Sequence, residues 1–301
     1  MSNAALILVV ASAITHVAWN AFGKKQQPSA AFFVGALVAG LLFLSPCLVM
    51  YADRMPLIPS DVWIMLVATG LFQAFYFGML AAAYRHGDMS LAYPMARALP
   101  VIFVTVVSLA IGPGPDLKTG FIIGVALIVT GCFLLPMRNL GQLRLASYMN
   151  GCCLCAIMAA AGTAGYSLTD DVALRQLRSL HTEMSGVEWA LLYAPLQVFF
   201  TLMWLSVWVL TRPHERACLA SVMKTARTKA ALTGVGIYAA YTMVLVSMAF
   251  VQNVSYLVAC RQLSIPLGAT FGILVLKEPQ YFLKNVGVAA VFSGVLLVAL
   301  G

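Results

Sequence analysis

The sequence predicts an all-α membrane protein, with ten transmembrane helices arranged as two inverted five-helix repeats. Three observations carry this. Of 301 residues, 62% are apolar and 9% charged, whereas a soluble domain carries about 25% charged residues; too little polar material is present to clothe a soluble surface. Residues 1–23, 30–52, 62–84 and 230–260 contain no Asp, Glu, Lys or Arg, and about 20 apolar residues in a helix cross a bilayer core of roughly 30 Å. Finally, a segment in the first half has an echo in the second.

Read between turn signals, the spans fall near 2–22, 30–51, 62–84, 90–111, 119–136, 148–168, 189–210, 231–251, 255–276 and 284–300. The first run lacks a basic start, and Asn20, Phe22 and Gly23 form no small-x-small cleavage site. A retained helix is therefore expected rather than a removed signal peptide. Breaks fall at Lys24 to Pro28, Asp53 to Pro56, Gly112 to Pro115 and Pro136 to Asn139. Two polar stretches, near 170–188 and 211–229, interrupt the second half. The latter alternates basic residues with Leu, Val and Met and is expected to be partly helical and interfacial.

The echo pairs Ser90 to Pro100 with Ser255 to Pro266: each places one arginine, Arg97 or Arg261, in an apolar helix with a proline soon after. Downstream, Gly124 and Gly131 match Gly287 and Gly294. Spans four and five thus correspond to spans nine and ten, giving units over 1–140 and 141–301. Because five is odd, the second unit must enter the membrane inverted, an architecture that supports alternating access.

His16-x-x-Trp19-Asn20 in the first span, the Tyr84 to Pro100 segment, and the Leu276-Lys277-Glu278-Pro279 turn before the Gly287…Gly294 helix carry a family resemblance. The chain resembles ten-helix, EamA-type members of the drug/metabolite transporter superfamily along essentially its whole length. The first half departs from the pattern, having Pro115-Asp116 where the second has Glu278; a helix-end role is expected for Glu278. The His-Trp-Asn start and two mid-membrane arginines are most similar to members associated with organophosphonate use. The resemblance implies a secondary transporter in a bacterial plasma (inner) membrane, with both termini in the cytoplasm. Charge points the other way: with Lys284 at the start of the tenth span included, Lys and Arg number twelve on odd-numbered loops and four on even ones, which favours cytoplasmic odd loops.

Arg97 and Arg261 are the sharpest chemical signal. An ionised Arg at a helix centre costs roughly 2.5–3.5 kcal/mol on insertion scales. The blander reading is that each reaches an interface or binds neighbouring carbonyls. No Asp or Glu lies mid-span in this reading: Asp170, Asp171, Glu183 and Glu188 are assigned to a loop and Glu278 to a helix end. Two guanidinium groups without a protein carboxylate suit a carboxylate, phosphate or phosphonate, which their donor forks fit in pairs. They are expected to face one central cavity.

His16, Trp19 and Asn20 share a helix face expected to line that cavity, although a helical His is more often a packing residue. His16 could also carry a coupling proton. Tyr76, Tyr93 and Tyr241 are preferred lining tyrosines over Tyr84 and Tyr238, with interfacial placement the alternative. Gln262 and Gln73 are further polar candidates, and Pro94, Pro100 and Pro266 are expected kinks. No acid occupies the first span, which disfavours cation-for-proton exchange through a membrane-buried Glu.

The expected function is transport of a small anionic or zwitterionic metabolite (amino acid, organic acid or phosphonate-like) by alternating access. Alternatives are an exporter of neutral or hydrophobic compounds with structural arginines, a non-transporting receptor, or a membrane enzyme. The four His residues lie in separate segments, and no HExxH, GxSxG or Walker A run occurs. No enzymatic activity, cofactor, metal or nucleic-acid partner is expected, and the +8 formal charge belongs to loops beside the bilayer. Seven cysteines, an odd number, lie mostly in apolar runs and are read as small packing residues, Cys152, Cys153 and Cys155 included.

Overall fold

A computed structural model describes residues 2–23, 29–86, 89–111, 119–135, 137, 139, 141, 150–180, 183–275, 277 and 279–300, without the side chains of 20–23, 86, 89–94 and 111. The described residues are helical with short connections. The helices are α1 (Asn3–Gly23), α2 (Ala30–Met50), α3 (Ser60–His86), α4 (Met89–Ile111), α5 (Thr119–Leu134), α6 (Gly151–Ser179), α7 (Gly186–Leu210), α8 (Pro213–Thr225), α9 (Arg227–Ser247), α10 (Val254–Cys260), α11 (Ser264–Leu274) and α12 (Phe282–Leu300). Arg261–Leu263 form a 3-10 turn between α10 and α11.

Among the described residues, seven helical segments are long and apolar enough to cross a membrane, Val254–Leu274 counting as one of them. Three shorter apolar segments, Asn3–Trp19, Met95–Ala110 and Thr119–Leu134, accompany them. Large apolar side chains face outward along the spans, among them Ile7, Leu42, Ile64, Ile122 and Phe282, as lipid-facing surfaces require.

Side chains near the starts satisfy orphan amides. Ser29 accepts from the Phe32 amide to start α2, and Asn150 accepts from Cys153 to start α6. Ser185 and Glu188 form a reciprocal capping box at α7. The Glu215 carboxylate on α8 accepts from the Ala31 amide and from Arg85 at the end of α3, so this buried acid ties the short helix to the ends of two spans.

Most boundaries lie within a few residues of the sequence reading; α6 does not. The span expected to end at 168 continues to Ser179, so Asp170 and Asp171 are helical rather than in a loop. Glu188 likewise belongs to the first turn of α7. Pro94 and Pro100 sit within the continuous α4, whereas backbone irregularity falls just before Pro266. Proline has no N–H for the carbonyl of Gln262 four residues earlier, and the 3-10 turn occupies that place.

The helices pack in matched pairs: α1 along α9, α3 along α6, α2 along α9 and α7, α3 along α7, and α4 along α6. α5 and α12 meet at backbone contact. A Cβ on Gly131 would lie 2.7 Å from the Gly287 carbonyl, and one on Gly294 would lie 2.5 Å from that of Gly124. Only glycine permits this approach. Since 124 meets 294 and 131 meets 287, the two helices run antiparallel.

Candidate functional site

The two arginines occupy facing elements. Arg97, half-buried on α4, donates through Nη2 to the hydroxyl of Ser264, the first residue of α11. Ser264 in turn donates to the carbonyl of Arg261 at 3.1 Å. One hydroxyl thus links the side chain of the first arginine to the backbone of the second, at the 3-10 turn.

The Arg261 guanidinium stands over the Tyr241 ring, 5.3 Å from its centre, within cation–π range. Tyr241 meets Tyr166 edge to face at 5.5 Å, and Tyr166 meets Tyr76 at 6.0 Å. Tyr76 and His16 each lie within electrostatic reach of both arginines. His16 is edge-on to Trp19 at 4.9 Å, as expected for residues one turn apart. Trp19 presses on α9, where a Cβ at Gly236 would approach it to 2.5 Å. Its indole N–H and the Oε1 of Gln262 are buried without a hydrogen-bond partner among the described residues; Gln262, on the 3-10 turn, donates to the Val258 carbonyl of α10.

Six of the nine residues singled out from sequence, Arg97, Arg261, His16, Trp19, Tyr76 and Tyr241, therefore belong to one region at the α1–α3–α4–α9–α11 junction. Gln262 adjoins it on the turn. Asn20 and Tyr93 lie on α1 and α4, but their side chains are outside the described residues, as is Glu278.

Sequence reasoning missed Asp170. This side chain is 0% exposed and accepts four hydrogen bonds: from Thr69 at 2.6 Å, Tyr193 at 2.8 Å, Gln197 at 2.9 Å and Tyr241 at 2.5 Å. The premise that no acid occupies a span is thereby corrected. Tyr241 joins both groups, carrying Arg261 on its face and giving its hydroxyl to Asp170. Beside this network, Gln73 accepts from Thr201 and Tyr238. Both side chains are thus committed to the packed interior. Among the described residues, no group of three or more His, Cys, Asp or Glu is arranged to hold a metal.

Residues 3–137 match the model of the EamA-like transporter family. This stretch, just under half of the chain, is thus similar to the EamA-like transporter family, within the drug/metabolite transporter superfamily. With its apolar helices, the chain is an integral membrane protein, and the family's members are membrane transporters. A solved crystal structure 16% identical aligns over 100% of this chain and 98% of its own, with a TM-score of 0.67; that likeness concerns fold alone. No curated protein matches by sequence. The matched unit contains α1 to α5, and thus His16, Trp19, Tyr76 and Arg97.

Proposed function

We propose that this EamA-like protein is a secondary transporter for a small anionic or zwitterionic metabolite, an amino acid, organic acid or phosphonate-like compound. Arg97 and Arg261 bind the acidic group. The observation that supports the reading is that both arginine charges lie within electrostatic reach of His16 and Tyr76, inside a bundle whose outer faces are apolar. Arginine forks match planar or tetrahedral oxyanions. His16, Trp19, Asn20, Tyr76, Tyr93, Tyr241 and Gln262 complete the proposed lining, with ring faces for the solute body and polar tips for orientation.

The two-unit reading, 1–140 and 141–301, supplies the mechanism: inverted halves rock about a shared site. It is supported by the antiparallel glycine contact between α5 and α12 and by the matched pairing of α1 with α9 and α3 with α6. A bacterial plasma membrane, with a proton as coupling ion, is the setting proposed.

A second reading keeps the arginines structural and assigns export of neutral or hydrophobic compounds. The Arg97–Ser264 bond and the seat of Arg261 on Tyr241 favour it. Binding of glutamate, succinate and methylphosphonate to purified protein separates the two, followed by uptake of any bound label into vesicles containing only this protein. Arg97→Ala and Arg261→Ala are expected to abolish anion binding. Unchanged affinity for every anion in both variants rejects the anionic reading.

A further inference from the structure

We infer that Asp170 is a proton site coupled to the anion-binding arginines, so that an acidic solute and a proton occupy the protein together. The inference rests on the anionic reading of Arg97 and Arg261 given above.

The shell around Asp170 is complete for a carboxylate and adaptable to a carboxylic acid. Thr69 and Tyr193 donate to Oδ1, and Gln197 and Tyr241 to Oδ2, filling the acceptor capacity of an ionised group. Among the described residues, no Lys, Arg or His forms an ion pair with it. A protonated Asp170 needs an acceptor instead. Three of its four donors are hydroxyls, whose hydrogens can turn. The fourth, Gln197, carries an Oε1 that is buried without a partner among the described residues, and a half-turn of its amide offers that oxygen to an Asp170 hydroxyl. Either protonation state is accommodated without moving a helix.

The charge balance provides the coupling. In the empty protein, the negative charge of Asp170 is offset by Arg261, one tyrosine away. An anion on the arginines cancels that positive charge and leaves a buried carboxylate uncompensated. This favours its protonation. A proton leaves bulk water, forms an O–H bond at Asp170, and returns to bulk water when the anion departs. Because linkage is reciprocal, the bound proton also tightens anion binding. Anion and proton then travel in the same direction.

The other titratable and charged groups around this shell are Tyr76 on α3, Tyr166, Asp171 and Arg175 on α6, Tyr193 on α7, Tyr238 and Tyr241 on α9, and Arg261 at the turn. Asp171 is held by Arg175 at 2.9 Å, and free tyrosine titrates far above neutrality. His16, near both arginines, is the competing proton site.

The test is calorimetric titration of the full-length protein in nanodiscs with methylphosphonate, succinate and glutamate, in two buffers of different ionisation heat. Wild type is expected to take up about one more proton per bound anion than Asp170→Asn, which cancels the probe's own titration. Equal uptake in the two proteins, or loss of uptake in His16→Gln with Asp170→Asn unaffected, overturns the inference while leaving the anionic reading intact. Failure of all three probes to bind wild type overturns both. Should Asp170→Asn not assemble, infrared difference spectra replace it. Wild type is expected to gain a carboxylic acid C=O band on adding anion, displaced in Asp170→Glu; absence of that gain also overturns the inference.

Discussion

Arg97 and Arg261 share the hydroxyl of Ser264: the first arginine donates to it, and the backbone carbonyl of the second accepts from it. Ser264 thereby pins the 3-10 turn to α4. Ser264→Ala removes a hydrogen bond to a charged group, typically about 1.5–3 kcal/mol. A lowered midpoint of thermal unfolding in detergent is expected, and an unchanged midpoint would show that the bridge contributes nothing.

Arg97→Lys retains charge but loses the planar donor fork. On the anionic reading it binds phosphonate or carboxylate about tenfold more weakly, roughly 1.4 kcal/mol. Equilibrium binding of methylphosphonate to the purified variant measures this.

Asp170 offers a contrast between two substitutions. Asp170→Asn keeps the shape and one acceptor oxygen. Asp170→Ala strands donors from Thr69, Tyr193, Gln197 and Tyr241, each costing about 1–3 kcal/mol when buried unpaired. The alanine variant is expected to be the less stable by several degrees in thermal unfolding, and a reversed order would contradict the four-donor geometry.

Glu215 caps α2 through Ala31 and holds Arg85. Glu215→Ala removes both partners and is expected to cost about 1–3 kcal/mol. A lowered midpoint of thermal unfolding in detergent, compared with wild type, is the accompanying readout.

Gly131→Leu or Gly294→Leu drives a side chain into a facing backbone carbonyl. Overpacking costs about 1–3 kcal/mol even where neighbours can yield, and backbone yields least. Both variants are expected to lose monodispersity in size-exclusion chromatography, whereas Gly120→Ala, whose nearest atom would be 3.8 Å away, should not.

The apolar runs made most spans legible, because lipid contact requires unbroken apolar length. α6 was the exception. Asp170, Asp171, Arg175 and Arg178 lower its hydropathy, yet Ala173, Leu174 and Leu177 continue its buried face and Arg, Gln and Leu favour helix. Arg97 and Arg261 stood out because charge is rare in apolar surroundings. Asp170 did not, since the residues that make it tolerable come from α3, α7 and α9. Tyr166, the ring joining Tyr76 to Tyr241, was hidden for the opposite reason: one tyrosine on an apolar helix carries no local mark. Glu215 was masked by the basic residues around it, although its carboxylate faces inward to a helix start.

The α5–α12 contact has a mechanical consequence. Where each glycine Cα faces a carbonyl of the other helix, the backbones touch directly, and the side chains flanking the glycines (Ile128, Leu135, Val291 and Val298) are short or branched, so this pair is suited to be the spindle about which the other helices turn. Spin labels on the outer faces of α5 and α12 should keep their separation when solute is added, while labels on α1 and α6 change theirs.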